Sequence, residues 1–239
     1  MTDMKHILVA GGAGGVGEAI VRALLAAGHR VIVPSRSAAR LEQLRAGVAA
    51  GGPTGGELVT FTGQIGTLEG ALGVRDRIAA GAGRLDVLIP SLGGWWEGGL
   101  LDATPAVWDA VMDEMLRTHY VFAHVFIPVL RAQAGGGRYI GIGGGAAYHP
   151  IRNSTLVSIA AAAQLMLTRA LRLECADPDV DVLELVVDGP VRTRDSAAIA
   201  GPDWIDAEDV ATIVAELVEH GATNVPNATL SGPIIRMKK

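Results

Sequence analysis

Lysine is almost missing from this sequence: Lys5, Lys238 and Lys239 are its whole complement, so none stands in the interior of the chain. Any proton-transfer pair that needs an interior lysine is thereby excluded. Cysteine occurs once, at Cys175, which rules out an intramolecular disulfide and leaves a small side chain without an assigned role. Clusters of basic residues are missing too, and the formal net charge is −5. A nucleic-acid partner is therefore not expected. Unbroken apolar runs fall short of the ~18 residues of a membrane span. The N-terminus lacks the charged and apolar regions of a signal peptide. The expectation is a cytoplasmic protein with no membrane partner. The six histidines are scattered and the cysteine has no companion, so no metal site is expected.

Hydrophobic residues make up 49% of the 239 and charged residues 19%, which suits one domain, 1–239, with a large core. Short apolar runs alternate with longer helical patterns. The strand candidates are Ile7–Ala10, Val31–Pro34, Leu58–Thr62, Val87–Pro90, Tyr139–Ile142, Val182–Val187 and Ala228–Leu230. The helical stretches are Gly17–Ala27, Ala38–Ala50, Leu68–Ala80, Pro105–Ala134, Ser154–Cys175 and Ala207–His220. This alternation predicts an α/β fold: a single Rossmann-like, doubly wound parallel sheet with helices on both faces. Small residues at Ala160–Ala163 permit close helix packing, against the sheet or against a second subunit, and a homo-oligomer is expected.

The first strand runs into Gly11-Gly12-Ala13-Gly14-Gly15-Val16-Gly17 and then a helix. Two registers fit: Gly12, Gly14 and Gly17 as G-x-G-x-x-G, or Gly11, Gly15 and Gly17 as G-x-x-x-G-x-G. In either, glycines let the backbone approach a pyrophosphate, and the helix N-terminus offers it free N–H groups. At the end of the second strand stands Ser35-Arg36-Ser37, with Arg40 one turn on and no acidic residue before Glu42. A carboxylate there would bind the ribose of NAD, whereas a guanidinium with hydroxyls suits the phosphate of NADP(H).

These motifs resemble the short-chain dehydrogenase/reductase family over nearly the whole chain. Gly83–Ile89, Trp108-Asp109, Gly137–Ile140, Leu167–Leu171 and Gly189-Pro190-Val191-Arg192-Thr193 are similar to family segments. The resemblance implies cofactor contacts from Gly11, Gly12, Gly15, Val16, Gly17, Ser35, Arg36, Gln64, Gly93, Val191 and Thr193. It also implies an Asn, a Ser and a Tyr-x-x-x-Lys pair for catalysis. Anchored on Leu167-Thr168-Arg169, the corresponding positions are Met115, Gly144, Val157 and Ala161. No tyrosine can be moved into register: Tyr148 comes nine residues too early, and Pro150 follows it.

Tyr148 and His149 lie just beyond the fifth strand, where a loop faces the cofactor crevice, and are the candidates for proton transfer. His119 reads as a buried, hydrogen-bonded helix histidine. Asp188 stands where the family has proline and suits a base or a loop cap. Trp95 and Trp96, in a glycine-rich loop after the fourth strand, are candidates to cover an apolar or aromatic small-molecule substrate. Three functional readings stay open. One is an NADP(H)-dependent oxidoreductase with a non-standard site; another is a non-catalytic cofactor-binding sensor or partner subunit. The third is a non-redox isomerase, lyase or cyclase using the apolar pocket.

Overall fold

The computed structural model describes residues 3–81, 83–175, 180–222, 228–231 and 234–237; Lys238 and Lys239 lie outside the described residues. In chain order the elements begin β1 (His6–Ala10), α1 (Gly15–Ala26), β2 (Arg30–Ser35), α2 (Ala38–Ala50), β3 (Glu57–Thr62), α3 (Leu68–Gly81) and β4 (Val87–Pro90). Then come α4 (Pro105–Met112), a π turn (Asp113–Arg117), α5 (Thr118–Arg131), β5 (Gly137–Gly144), a 3₁₀ turn (Gly145–Ala147) and α6 (Thr155–Glu174). The chain continues through β6 (Val180–Val187), β7 (Val191–Arg192), β8 (Ile205–Asp206), α7 (Ala207–His220), β9 (Ala228–Ser231) and β10 (Ile234–Met237).

The main sheet has the order β3-β2-β1-β4-β5-β6-β10-β9. Seven strands are parallel, and β9 closes the edge antiparallel to β10. The doubly wound parallel sheet expected from the sequence is thus the observed one. Strand β1 shows why both faces must be covered. Its side chains alternate, Ile7 and Val9 entering one core and Leu8 and Ala10 the other, and all four are buried. After β3 the chain crosses to the far side of β1 to form β4. The order therefore reverses between β1 and β4, and a crevice opens at their carboxyl ends.

On one face α1, α2 and α7 share a core through Leu24, Leu41, Val210 and Leu217. On the other, α3 and α5 bury Val74, Ile78, Phe122 and Phe126 with Tyr139 of β5. Truncating Leu24 or Leu217 to alanine would cost about 2–5 kcal/mol, because the surrounding helices collapse only partly into the space. A polar clasp supplements this packing. The Glu219 carboxylate of α7 lies 3.2 Å from Lys5 Nζ and 2.7 Å from Nε2 of His29, which is buried. Burial alone would raise the Glu219 carboxyl, but Lys5 and His29 together hold it below the usual carboxylate range.

Two expectations need correction, and one strand went unanticipated. The single helix expected over Pro105–Ala134 is broken by the π turn and ends at Arg131. The Thr118 hydroxyl donates to the Asp113 carbonyl at 2.9 Å, stabilising a five-residue step in place of the regular ladder. The strand Ile234–Met237, which is the parallel partner of β6, was hidden in sequence by its shortness and by Arg236 between apolar neighbours. Finally, α6 is long and apolar enough, by length and composition, to cross a bilayer. Here it lies on the sheet, with Leu156, Val157, Ala160, Ala161, Gln164 and Leu165 buried.

Candidate functional site

The glycine turn after β1 is held by backbone bonds from Gly12 N to Val9 O and from Gly14 N to Gly11 O. Each glycine answers a separate constraint. Gly11 has φ +80, and a Cβ on it would strike the Ser91 carbonyl. A Cβ on Gly17 would meet the backbone of Gly11, and one on Gly15 would lie 2.6 Å from Thr193 Cβ. A Cβ on Gly12 would lie 3.0 Å from the methyls of Val21 and Val33. Gly14 has only the Gly11 carbonyl at 3.2 Å and faces the crevice. The demanding set is therefore Gly11, Gly15 and Gly17, which selects the G-x-x-x-G-x-G register. Gly14 caps α1, whose first turn, including Val16, offers its amides to an anion.

A crevice of about 760 Å³ opens beside this turn, within the usual range of about 300–1,000 Å³ for small-molecule sites. Of the residues expected to hold a cofactor, Gly11, Ser35, Arg36, Gln64 and Gly93 line it. Its far end is cationic. Arg36 and Arg40 are exposed and make no ion pair among the described residues. Ser35 Oγ accepts from Ser37 N, and Ser37 Oγ caps α2 by accepting from Arg40 N at 3.2 Å. Two carboxylates also line the crevice, Asp113 and Glu114, but they come from the π turn. Asp113 is paired with Arg117 at 2.8 Å. Below the crevice His119 is fully buried, with Nε2 3.1 Å from the Leu92 carbonyl. Burial pushes its pKa down to about 4, against the pull of that bond, so the ring is neutral and its Nε2–H donates.

Val191 and Thr193 stand apart from the crevice lining. They belong to a segment between β6 and α7 in which β7 pairs with β8, and Thr193 lies on Gly15. Tyr148 follows the 3₁₀ turn and packs near Leu165 and Val186. The Arg236 guanidinium sits 4.7 Å from its ring centroid and donates to Asp188 Oδ2 at 2.5 Å. Asp188 is thus tied to Arg236. His149 is exposed and makes no hydrogen bond among the described residues. Trp95 is 61% exposed and donates to Glu97 at 3.2 Å, while the Trp96 ring covers Gly98. The tryptophan loop is pinned to the start of α6 through Gly98 N to Asn153 O at 2.7 Å.

Val157 and Ala161 are buried on α6, Gly144 ends β5, and Met115 lies in the π turn; α6 packs against both turns that flank these positions. Sequence reasoning missed one group nearby. Glu184 of β6 is 1% exposed, with its carboxyl beside Gly141 and Gly143 of β5 and Gln164 Nε2 at 3.4 Å. The available signal was a lone acid in Val182–Val187 opposite a G-x-G in the neighbouring strand.

Residues 5–201 match the sequence profile of the short chain dehydrogenases. The chain belongs to that family. Among its relatives, bovine dehydrogenase/reductase SDR family member 4 is 29% identical over 202 residues, which are 82% of this chain and 69% of the bovine protein. A cis-2,3-dihydrobiphenyl-2,3-diol dehydrogenase of Pseudomonas putida is 31% identical over 175 residues, 71% of this chain and 60% of that enzyme. In three dimensions this short chain dehydrogenase superposes on a family member from Mycobacterium ulcerans with a TM-score of 0.85 at 22% identity. That match covers 97% of this chain and 87% of the other. It superposes on a metagenomic short-chain oxidoreductase in complex with NADP with a TM-score of 0.78 at 24% identity, covering 98% of both chains. The family consists of NAD(P)(H)-dependent oxidoreductases acting on small substrates, and the cradle here fits such a dinucleotide. Its three constrained glycines leave no Cβ in the way, and its far end holds unpaired guanidiniums.

Proposed function

We propose that this chain is an NADP(H)-dependent oxidoreductase for a small apolar or aromatic substrate, with proton-transfer groups that depart from the family pattern. One observation carries the cofactor half. Two guanidiniums free of carboxylate partners, two serine hydroxyls and the start of α2 gather at the close of β2. Anions are favoured at such a place by charge and by helix dipole together.

When bound, the dinucleotide supplies or accepts the hydride. The chain's part is to hold it, to orient the substrate and to keep water away. The positions resembling the family's Asn, Ser, Tyr and Lys hold Met115, Gly144, Val157 and Ala161. Such a wall binds apolar surface at about 25 cal/mol per Å² and offers no proton. The P. putida relative, named for an aromatic-derived diol, supports the same substrate class. Tyr148 is held under Arg236 and serves packing. The proton comes from water, and general acid help worth about 10²–10⁴-fold is forgone. On this reading His149→Ala leaves turnover within about twofold. A loss of about a hundredfold or more would make His149 the donor instead.

A second reading, a non-catalytic cofactor-binding subunit, is favoured by the burial of Val157 and Ala161. The homo-oligomer expected from the sequence is supported by the exposed apolar Ile159 and Met166 on α6, and light scattering tests it. Titration of the protein with NADPH and NADH, followed by tryptophan and cofactor fluorescence, tests the cofactor reading. NADPH is expected to bind at least about tenfold more tightly. Oxidation of bound NADPH by apolar ketones or enones would then separate the enzyme from the binding subunit. Failure to bind either cofactor would overturn both readings.

A further inference from the structure

The glycine turn and the start of α1 offer amides to a pyrophosphate, and Ser35, Arg36 and Arg40 offer donors to a ribose phosphate. The rest of the crevice is a slot. Gln64, Ile65, Gly66 and Thr67, which follow β3, form one part of its lining. Ala110, Glu114 and Thr118 form another. The two parts meet at one end, where a Cβ on Gly66 would lie 3.5 Å from the Thr118 hydroxyl. With both phosphate stations taken, the slot is what is left for the base. Ile65 and Leu92 give it apolar surface for a flat ring.

The polar groups on the helical side are not equivalent. The Thr118 hydroxyl is already donated to the Asp113 carbonyl, and the Asp113 carboxylate is held by Arg117. Glu114 makes no hydrogen bond or ion pair among the described residues, yet its carboxyl is placed. It lies against Gly94, where a Cβ would come 2.7 Å from Oε2 and 3.0 Å from Oε1. Residues spaced by four, Ala110, Glu114 and Thr118, stay on the crevice through the wider step of the π turn. A carboxylate only accepts, so beside a polyanionic ligand it is unfavourable unless it meets a neutral donor. The exocyclic amino group of adenine is such a donor. A purine with an oxygen in its place would set two acceptors against each other.

We propose that Glu114 is a specificity-determining residue of the crevice, its carboxylate accepting from the adenine amino group of NADP(H) and rejecting purines with an oxygen there. The inference rests on the reading of the crevice as an NADP(H) site.

The test is fluorescence titration of the full-length protein with NADPH and with its deaminated analogue, reduced nicotinamide hypoxanthine dinucleotide phosphate. The unmodified protein is expected to prefer NADPH by about thirtyfold, as loss of a charge-assisted bond requires. In Glu114→Ala, NADPH weakens by about tenfold and the analogue is unchanged, so the preference falls to about threefold. The unchanged affinity for the analogue also shows that the variant is folded. In Glu114→Gln the analogue gains about threefold, because the amide can donate to the keto oxygen. Equal weakening of both ligands in Glu114→Ala, or a preference that survives the substitution, would overturn the role of Glu114 alone. An unmodified protein that binds neither ligand would overturn the NADP(H) reading beneath it.

Discussion

Replacing Glu184 by glutamine should make the protein more stable at pH 8, by about 3 kcal/mol, and change it by less than about 1 kcal/mol at pH 5. Burial pushes this carboxyl up to about 7, against the pull of Thr168 and Arg169. In the unfolded chain it titrates near the ordinary glutamate value, about 4.3. Below that value both states are protonated and the buried acid is tolerated in full. As pH rises towards 7 the unfolded state ionises first, and stability is progressively lost; above 7 the loss is complete. Glutamine keeps the shape and the contact with Gln164 but cannot ionise, so it removes the alkaline loss. For a chain of this size the gain corresponds to roughly 6–12 °C in melting temperature. Denaturant unfolding at the two pH values checks it, and an equal change at both would show that the Glu184 carboxyl titrates alike in the folded and unfolded chains.

The second large effect belongs to Arg36. Its replacement by glutamate is expected to weaken NADPH by at least about a hundredfold and NADH by less than about threefold. The change removes one charge-assisted contact, worth about 1.5–3 kcal/mol, and adds a repulsion of similar size. Arg40 and the start of α2 remain, so binding is reduced and not abolished. Paired titrations with the two cofactors measure it, and equal small effects would remove the NADP assignment. The selectivity should also fall with added salt, because both guanidiniums are exposed.

Much of the architecture could be read from the sequence because parallel strands buried on both faces are short apolar runs. Ala38–Ala50 and Ala207–His220 have the bounds that the sequence suggested. The glycine turn was legible as a cradle, yet its register was not. Gly12 and Gly14 look as significant as Gly11 and Gly15 until Thr193, far along the chain, is seen lying on Gly15. The same holds for Glu184, whose meaning depends on partners in Gly141 and Gly143. The π turn escaped because it depends on one hydroxyl, Thr118, choosing the carbonyl five residues back. Tyr148 and His149 were adjacent in sequence and alike in promise. The structure separates them, placing one ring under Arg236 and leaving the other in solvent.

The packing of α1 against α7, fastened by Lys5, His29 and Glu219, bears on how the chain is made. The helix that opens the nucleotide cradle leaves a ribosome well before the helix that packs on it. Until residues 207–220 emerge, the apolar side of α1, with Leu24 and Leu25, has no lasting cover. The nascent protein therefore carries an unfinished cradle until α7 is made, exposed to chaperones and to misassociation. Completion of the cradle then waits on α7, and the concentration of cofactor present at that moment becomes part of the folding conditions.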